Sequence, residues 1–131
     1  MAKASAELYD EDFYAWTQLQ ASALRDLEAA PWNGPLDLGH LAAAVQDLGS
    51  EQYAAAASHL TRLIEHLLKL AASPSEPPRR QWRLSVRQAR SELRRRLSTT
   101  LRNRLEADLG VIDADAREAV APQPPQESEK S

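Results

Sequence analysis

The chain has no cysteine, so disulfides, thiolate metal ligands and thiol nucleophiles are excluded. Glycine is scarce, with 4 in 131 residues, which leaves little material for a glycine-rich phosphate loop. Aromatics make up 5% of the chain and isoleucine plus valine number only six. These are the residues that fit a pleated surface, so an all-β protein is excluded on composition. Long apolar runs are missing too. The best, Leu63–Ala72, is broken by Glu65, His66 and Lys69 and falls short of the ~20 apolar residues a spanning helix needs. Residues Met1–Glu7 carry one lysine and no apolar segment, so no secretory signal is expected and the cytoplasm is the default compartment. There is no G-x-S-x-G, EF-hand or H-E-x-x-H run. Ser50, Ser85, Ser98, Thr99 and Thr100 read as caps or ordinary helix positions, and no cofactor or metal is expected.

What is abundant is leucine and alanine, 19 and 23 of the 131 residues. Both favour helix. A chain of this length with 43% apolar and 27% charged residues fits one globular domain. The expected fold is all-α: a small bundle of about five helices over residues 8–120. Residues 1–7 are expected to be a flexible lead and 121–131 a disordered tail rich in Pro, Gln and Glu.

Turn residues divide the chain. Helix one is expected over 11–28, with Asp10 as N-cap and Tyr9 and Tyr14 as a hydrophobic staple. Its apolar stripe is Phe13, Trp16, Ala23, Leu24 and Leu27, interrupted by Gln20. Helix two is expected over 38–48, capped by Asp37 and ended by Gly49 at C′. Its stripe is Leu38, Leu41, Ala42, Val45 and Leu48. Helix three, 51–72 with Ser50 as cap, carries Tyr53, Ala56, Ala57, Leu60, Leu63, Ile64, Leu67 and Ala71 at steps of three and four. Helix four, 79–97, carries Trp82, Val86, Ala89, Leu93 and Leu97. Leu97, Leu101, Leu105 and Leu109 are each four apart, a row that drifts ~40° per step on a straight helix. A break is therefore expected near Ser98–Thr100, followed by a fifth helix toward Val120 that Gly110 kinks or divides. Each helix has one apolar stripe, so all must pack on one another.

Four segments resemble one bacterial family, called domain of unknown function 29. The run from Leu8 to Gln18 is similar to its opening, and Asp37 to Gly49 to its second helix and turn. His66 to Leu70 resembles its third-helix signature. Arg80-Gln81-Trp82-Arg83 with Ser85-Val86-Arg87 and Arg90 resembles its Arg/Trp segment. Asp115-Ala116-Arg117 is a weaker echo. The resemblance implies an all-helical single domain and no assigned activity. It also implies acidic residues in the second helix, where this chain has Ala43, Ala44 and Gln46. Had those carboxylates served a metal or acid–base role, it would be lost here; had they paired with arginines, the loss is mild.

The strongest local signal is charge. Pro74–Leu105 holds ten arginines and two glutamates, a local charge of +8 in a chain whose net charge is −3. Arg80, Arg83, Arg87, Arg90 and Arg94 step by three and four, which lines them along one helix edge beside the apolar stripe. Such a row of guanidinium forks suits phosphates or carboxylates. It reads either as an anion-binding surface, with Trp82 available for a cation–π stack, or as the internal partner of acids such as Asp10, Asp12, Asp108 and Asp113. A pI of 5.6 favours internal pairing, since nucleic-acid domains are usually basic overall.

His59 and His66 lie seven residues apart, ~10 Å along a helix, too far to share a metal. Hydrogen-bonded packing is the favoured reading of both; His40 offers less. Trp16 and Trp82 are expected in the core and Trp32 as a lid over the bundle end. Three functions stay open: a non-enzymatic interaction module whose partner is a protein, a second copy of the chain included; nucleic-acid binding through the arginine row; and a small enzyme using His66.

Overall fold

The computed structural model describes residues 5–31, 34–72 and 78–121; the segments around Trp32 and beyond Ala121 lie outside them. There are six helices and, among the described residues, no strand: α1 Ser5–Glu11, α2 Phe13–Ala29, α3 Leu38–Ala72, α4 Pro78–Arg96, α5 Thr99–Ala107 and α6 Leu109–Val120. The all-α expectation holds, with six helices in place of about five.

The count differs for local reasons. The first expected helix corresponds to α2, and α1 is an additional helix before it. Asp12, not Asp10, caps α2, its carboxylate accepting from Ala15 N at 3.0 Å. Tyr9 does not staple to Tyr14. Its ring meets Phe13 and Trp16 edge-on, at 5.2 and 4.9 Å between centroids. Helix α1 begins at Ser5, within the expected lead. At the other end the chain breaks at Asp108, just before Gly110, and separates α5 from α6.

The expected second and third helices are one. Helix α3 runs 35 residues, about 52 Å, and passes through both Gly49 and Ser50. Gly49 is therefore no helix stop. It is buried where α2 crosses α3, and a Cβ there would overlap Thr17 Oγ1 and lie 3.2 Å from Thr17 Cβ. Its missing side chain sets helix–helix distance rather than chain direction. Asp37 does act at the start of α3, its Oδ1 accepting from His40 N at 3.3 Å.

This crossing also decides which face of α2 is buried. Tyr14, Thr17 and Ala21 are covered, one residue round from the expected stripe, while Leu27 is exposed. Trp16 is half-buried and stacks on Phe13, 5.7 Å between centroids. On α3, Leu38, Ala42, Gly49 and Ala56 are buried, and Leu41 and Leu48 are exposed.

Helix α3 is the spine. Helix α2 runs antiparallel to its first half: Glu28 lies against Gly39, Arg25 donates to Gln46 at 2.7 Å, and Thr17 abuts Gly49. Helix α4 runs antiparallel to its second half, with Arg79 Nη1 donating to the Leu70 carbonyl. The core lies where these halves meet: Tyr14, Ala56, Leu93, Leu101, Leu105 and Ile112, with Leu60, Leu63 and Leu97 packed against them. The break before α5 falls as expected, Ser98 Oγ accepting from Leu101 N. Asp12 then ties both ends of the chain to this centre, because its second oxygen accepts from Thr100 N at 3.1 Å.

Beyond the core, α4 packs on α3 and on no other helix. From Ala57 to Ala72 and from Pro78 to Gln88 no described residue is fully buried. The α3 stripe accordingly runs out, with Leu67 48% exposed. These two segments form a two-helix arm with no third layer among the described residues.

Candidate functional site

The seam of α4 is apolar as expected: Ala89 and Leu93 are buried and Trp82 and Val86 half-buried. On either side of that seam lies a groove. One, of about 460 Å³, is lined by Arg83, Arg87, Arg90 and Arg94 with Leu70 and Val86. The four arginines lie within ~60° of one another around the helix and span about 16 Å along it. Arg80 is exposed and does not line the groove; Trp82 sits on the seam rather than over an arginine fork.

Among the described residues, four arginines of the row are not covered by the acids expected to fold against them. Arg80, Arg87, Arg90 and Arg94 make no ion pair among the described residues. The acids are used elsewhere. Asp12 serves Ala15 N and Thr100 N. Burial alone would raise its pKa, but these amide donors and the Ser98 and Thr100 hydroxyls together hold it below the ordinary value. Asp108 accepts from Tyr53 Oη, and this bond, with burial, raises the Tyr53 pKa. Asp113 pairs with Arg117 one turn along its own helix at 2.8 Å. Asp12, Asp108 and Asp113 do not reach the row, because their partners are Ala15 and Thr100, Tyr53, and Arg117.

Arg104 belongs to a cluster that sequence reasoning missed. It donates to Tyr14 Oη and stacks 4.0 Å above the Tyr53 ring. With Asp108 this joins α2, α3 and the α5–α6 break. Arg104 and Asp108 are an i,i+4 pair, but Tyr14 and Tyr53 come from distant stretches, so local spacing does not announce the cluster.

The second groove, on the opposite side of α4, is polar and about 550 Å³. His59 and Arg62 from α3 face Gln88, Glu92, Arg95 and Arg96 from α4. Arg95 and Arg96 fall off the three–four stepping of the arginine row, which is why the row omits them. The visible signal was His59 and Arg62, three apart and on one face of α3.

His66 lines neither groove. It is half-buried and its Nδ1 has no hydrogen-bond partner among the described residues. Burial, then the Lys69 charge, pushes its pKa below the ordinary imidazole value. The ring packs without the hydrogen bond expected of it at Nδ1, among the described residues. His59 does line the polar groove, but no cluster of three or more His, Asp or Glu side chains that could hold a metal occurs among the described residues. No described helix is long and apolar enough to cross a membrane.

Fold and site together define a small all-helical protein: a long central helix, a core at its middle, and a basic two-helix arm at one end. The chain belongs to the family described as Domain of unknown function DUF29, whose model matches residues 8–130. It is similar to an alpha-helical protein of unknown function from Rhodospirillum rubrum, solved by crystallography. The two share 26% identity and a TM-score of 0.75, over 95% of this chain and 82% of that one. Among curated proteins no relative matches. Within the family resemblance, Gln46 stands where an acidic residue is usual, and it accepts from Arg25.

Proposed function

We propose that this protein is a non-enzymatic interaction module whose binding surface is the arm formed by α4 and the second half of α3. Its partner is an acidic amphipathic helix of another protein. The observation that carries this reading is the groove with Leu70 and Val86 at its floor and Arg83, Arg87, Arg90 and Arg94 at its rim. An apolar floor receives the leucine face of a helix, and the rim receives its flanking carboxylates. A two-helix layer leaves apolar surface that a third helix would cover. Arm-to-arm pairing of two copies would set arginine rows against each other, so charge complementarity favours a partner of opposite sign. A nucleic acid would use the rim but leave Leu70 and Val86 unexploited, and the net charge of −3 opposes it.

The test is fluorescence anisotropy with a labelled helical peptide of about 20 residues, leucine on one face and glutamate beside it. Saturable binding that weakens with salt is expected. The triple change Arg87→Glu, Arg90→Glu and Arg94→Glu should weaken it by about 10- to 100-fold while circular dichroism stays helical. Retained affinity in that variant overturns the reading. So does tighter binding of duplex DNA or single-stranded RNA than of peptide at the same salt, or a dimer in sedimentation that the same substitutions dissolve.

A further inference from the structure

The polar groove on the far side of α4 is independent of the arginine row. Its floor is Ala89, a small buried residue that leaves room between the helices. Two walls carry cations: Arg62 on α3, and Arg95 and Arg96 on α4. One carboxylate answers them. Glu92 holds Arg95 Nη2 at 2.6 and 2.5 Å from its two oxygens, and its Oε2 lies 3.4 Å from Arg96 Nε. The latter contact lacks hydrogen-bond geometry, so Arg96 Nε is a buried donor with no acceptor among the described residues. Arg62 has no ion pair among them either. Three guanidinium groups therefore surround a cavity of about 550 Å³ with one carboxylate, and Ser85, Gln88 and Ser91 add neutral hydrogen-bonding groups.

We infer that this groove is a binding site for a phosphomonoester. A carboxylate carries one charge and accepts in one plane. A tetrahedral dianion presents oxygens to several walls at once, which matches donors arriving from two helices. The cavity volume lies within the range that holds small organic ligands, so a bare phosphate fills only part of it. Glu92 plays a defined part: it positions Arg95 and opposes the incoming dianion, which sets a ceiling on affinity. The two grooves share Ser91, but their arginines form separate sets, so charge changes in one row test one groove.

The experiment is a titration of the full chain with inorganic phosphate and with phenyl phosphate, followed by amide nitrogen–proton spectra. Saturating shifts at His59, Ser85 and Gln88, which line this groove and not the other, are expected, with a Kd on the order of 1 mM for phosphate and tighter binding of the ester. Arg62→Ala with Arg95→Gln should weaken binding by about tenfold or more. Glu92→Gln should strengthen it by about three- to tenfold, a gain that misfolding cannot imitate. Arg87→Glu, on the other edge, should leave it within about twofold. Shifts that fail to saturate overturn the inference. So does weaker binding in Glu92→Gln, or an Arg87→Glu loss as large as that of the Arg62/Arg95 variant.

Discussion

Replacing Gly49 with alanine tests the packing of the spine. In an open helix this change is favourable by about 0.5–1 kcal/mol, because glycine loses more backbone freedom on folding. Here the new methyl would overlap Thr17 Oγ1 and meet Thr17 Cβ at 3.2 Å and Gln18 Nε2 at 3.0 Å. Thr17 cannot yield easily. It is 0% exposed, and its hydroxyl donates to the Tyr14 carbonyl at 2.6 Å. Either that bond breaks or α2 lifts from α3, and overpacking of this kind costs about 1–3 kcal/mol. The net expectation is a loss of roughly 1–2 kcal/mol, or a Tm lower by about 3–12 °C in a chain of this size. Urea unfolding followed by circular dichroism measures it. Gly110→Ala is the internal control: a Cβ there has nothing within 4 Å, so a gain of about 0.4–1 kcal/mol is expected. A left-handed Gly49 would also make Gly49→Ala costly, so the deciding measurement is a cycle with Thr17→Ala. Contact between the two sites requires that the double variant lose at least ~0.5 kcal/mol less than the sum of the singles. Strict additivity, or a Gly49→Ala protein as stable as the parent, would refute the close crossing.

Asp12→Ala should cost about 1–2 kcal/mol, since it removes the α2 cap and the acceptor for Thr100 N; chemical denaturation reads this directly. Because the folded Asp12 pKa lies below its unfolded value, its stabilisation is present above ~pH 4 and is lost as pH falls through the folded value. The parent should therefore lose stability more steeply than Asp12→Asn on acidification. Tyr53→Phe should cost about 1 kcal/mol by unpairing Asp108 while keeping the ring under Arg104, and should leave peptide binding by the arm unchanged. His66 should titrate below ~6.5 in proton spectra, and since its folded pKa is depressed, stability should rise with pH through that range; a higher midpoint would contradict its burial.

Much of the helix pattern was legible because it depends on neighbours in sequence. The span expected for helix four differs from α4 by one residue at each end, and the break at Ser98 followed from a leucine row that one straight helix cannot bury. The errors share a cause. Gly49 carries the same local signal whether it ends a helix or lets another helix approach, and the atom that decides, Thr17 Oγ1, is 32 positions away. Asp10 and Asp12 are both acceptable caps, and Thr100 from the far end of the chain selects the second. The arginine row was legible as a row, but whether acids covered it was not. That depended on which helices reach α4, and charge totals carry no such information.

The same topology separates stability from binding. Thr17, Tyr53 and Asp108 are held by contacts with or on α3, and Asp12 ties the start of α2 to α5. Arg80, Arg87, Arg90 and Arg94 are bonded to none of these among the described residues. Substitutions on the arm should therefore change partner affinity with little effect on unfolding, and substitutions around Asp12 the reverse. A single measurement pair decides whether this division is real. If the Arg87/Arg90/Arg94 charge reversal raised the urea midpoint substantially, the row's mutual repulsion would be a cost the fold carries for function. If it lowered the midpoint as much as Asp12→Ala, the row would be structural and the arm's binding role would fall with it.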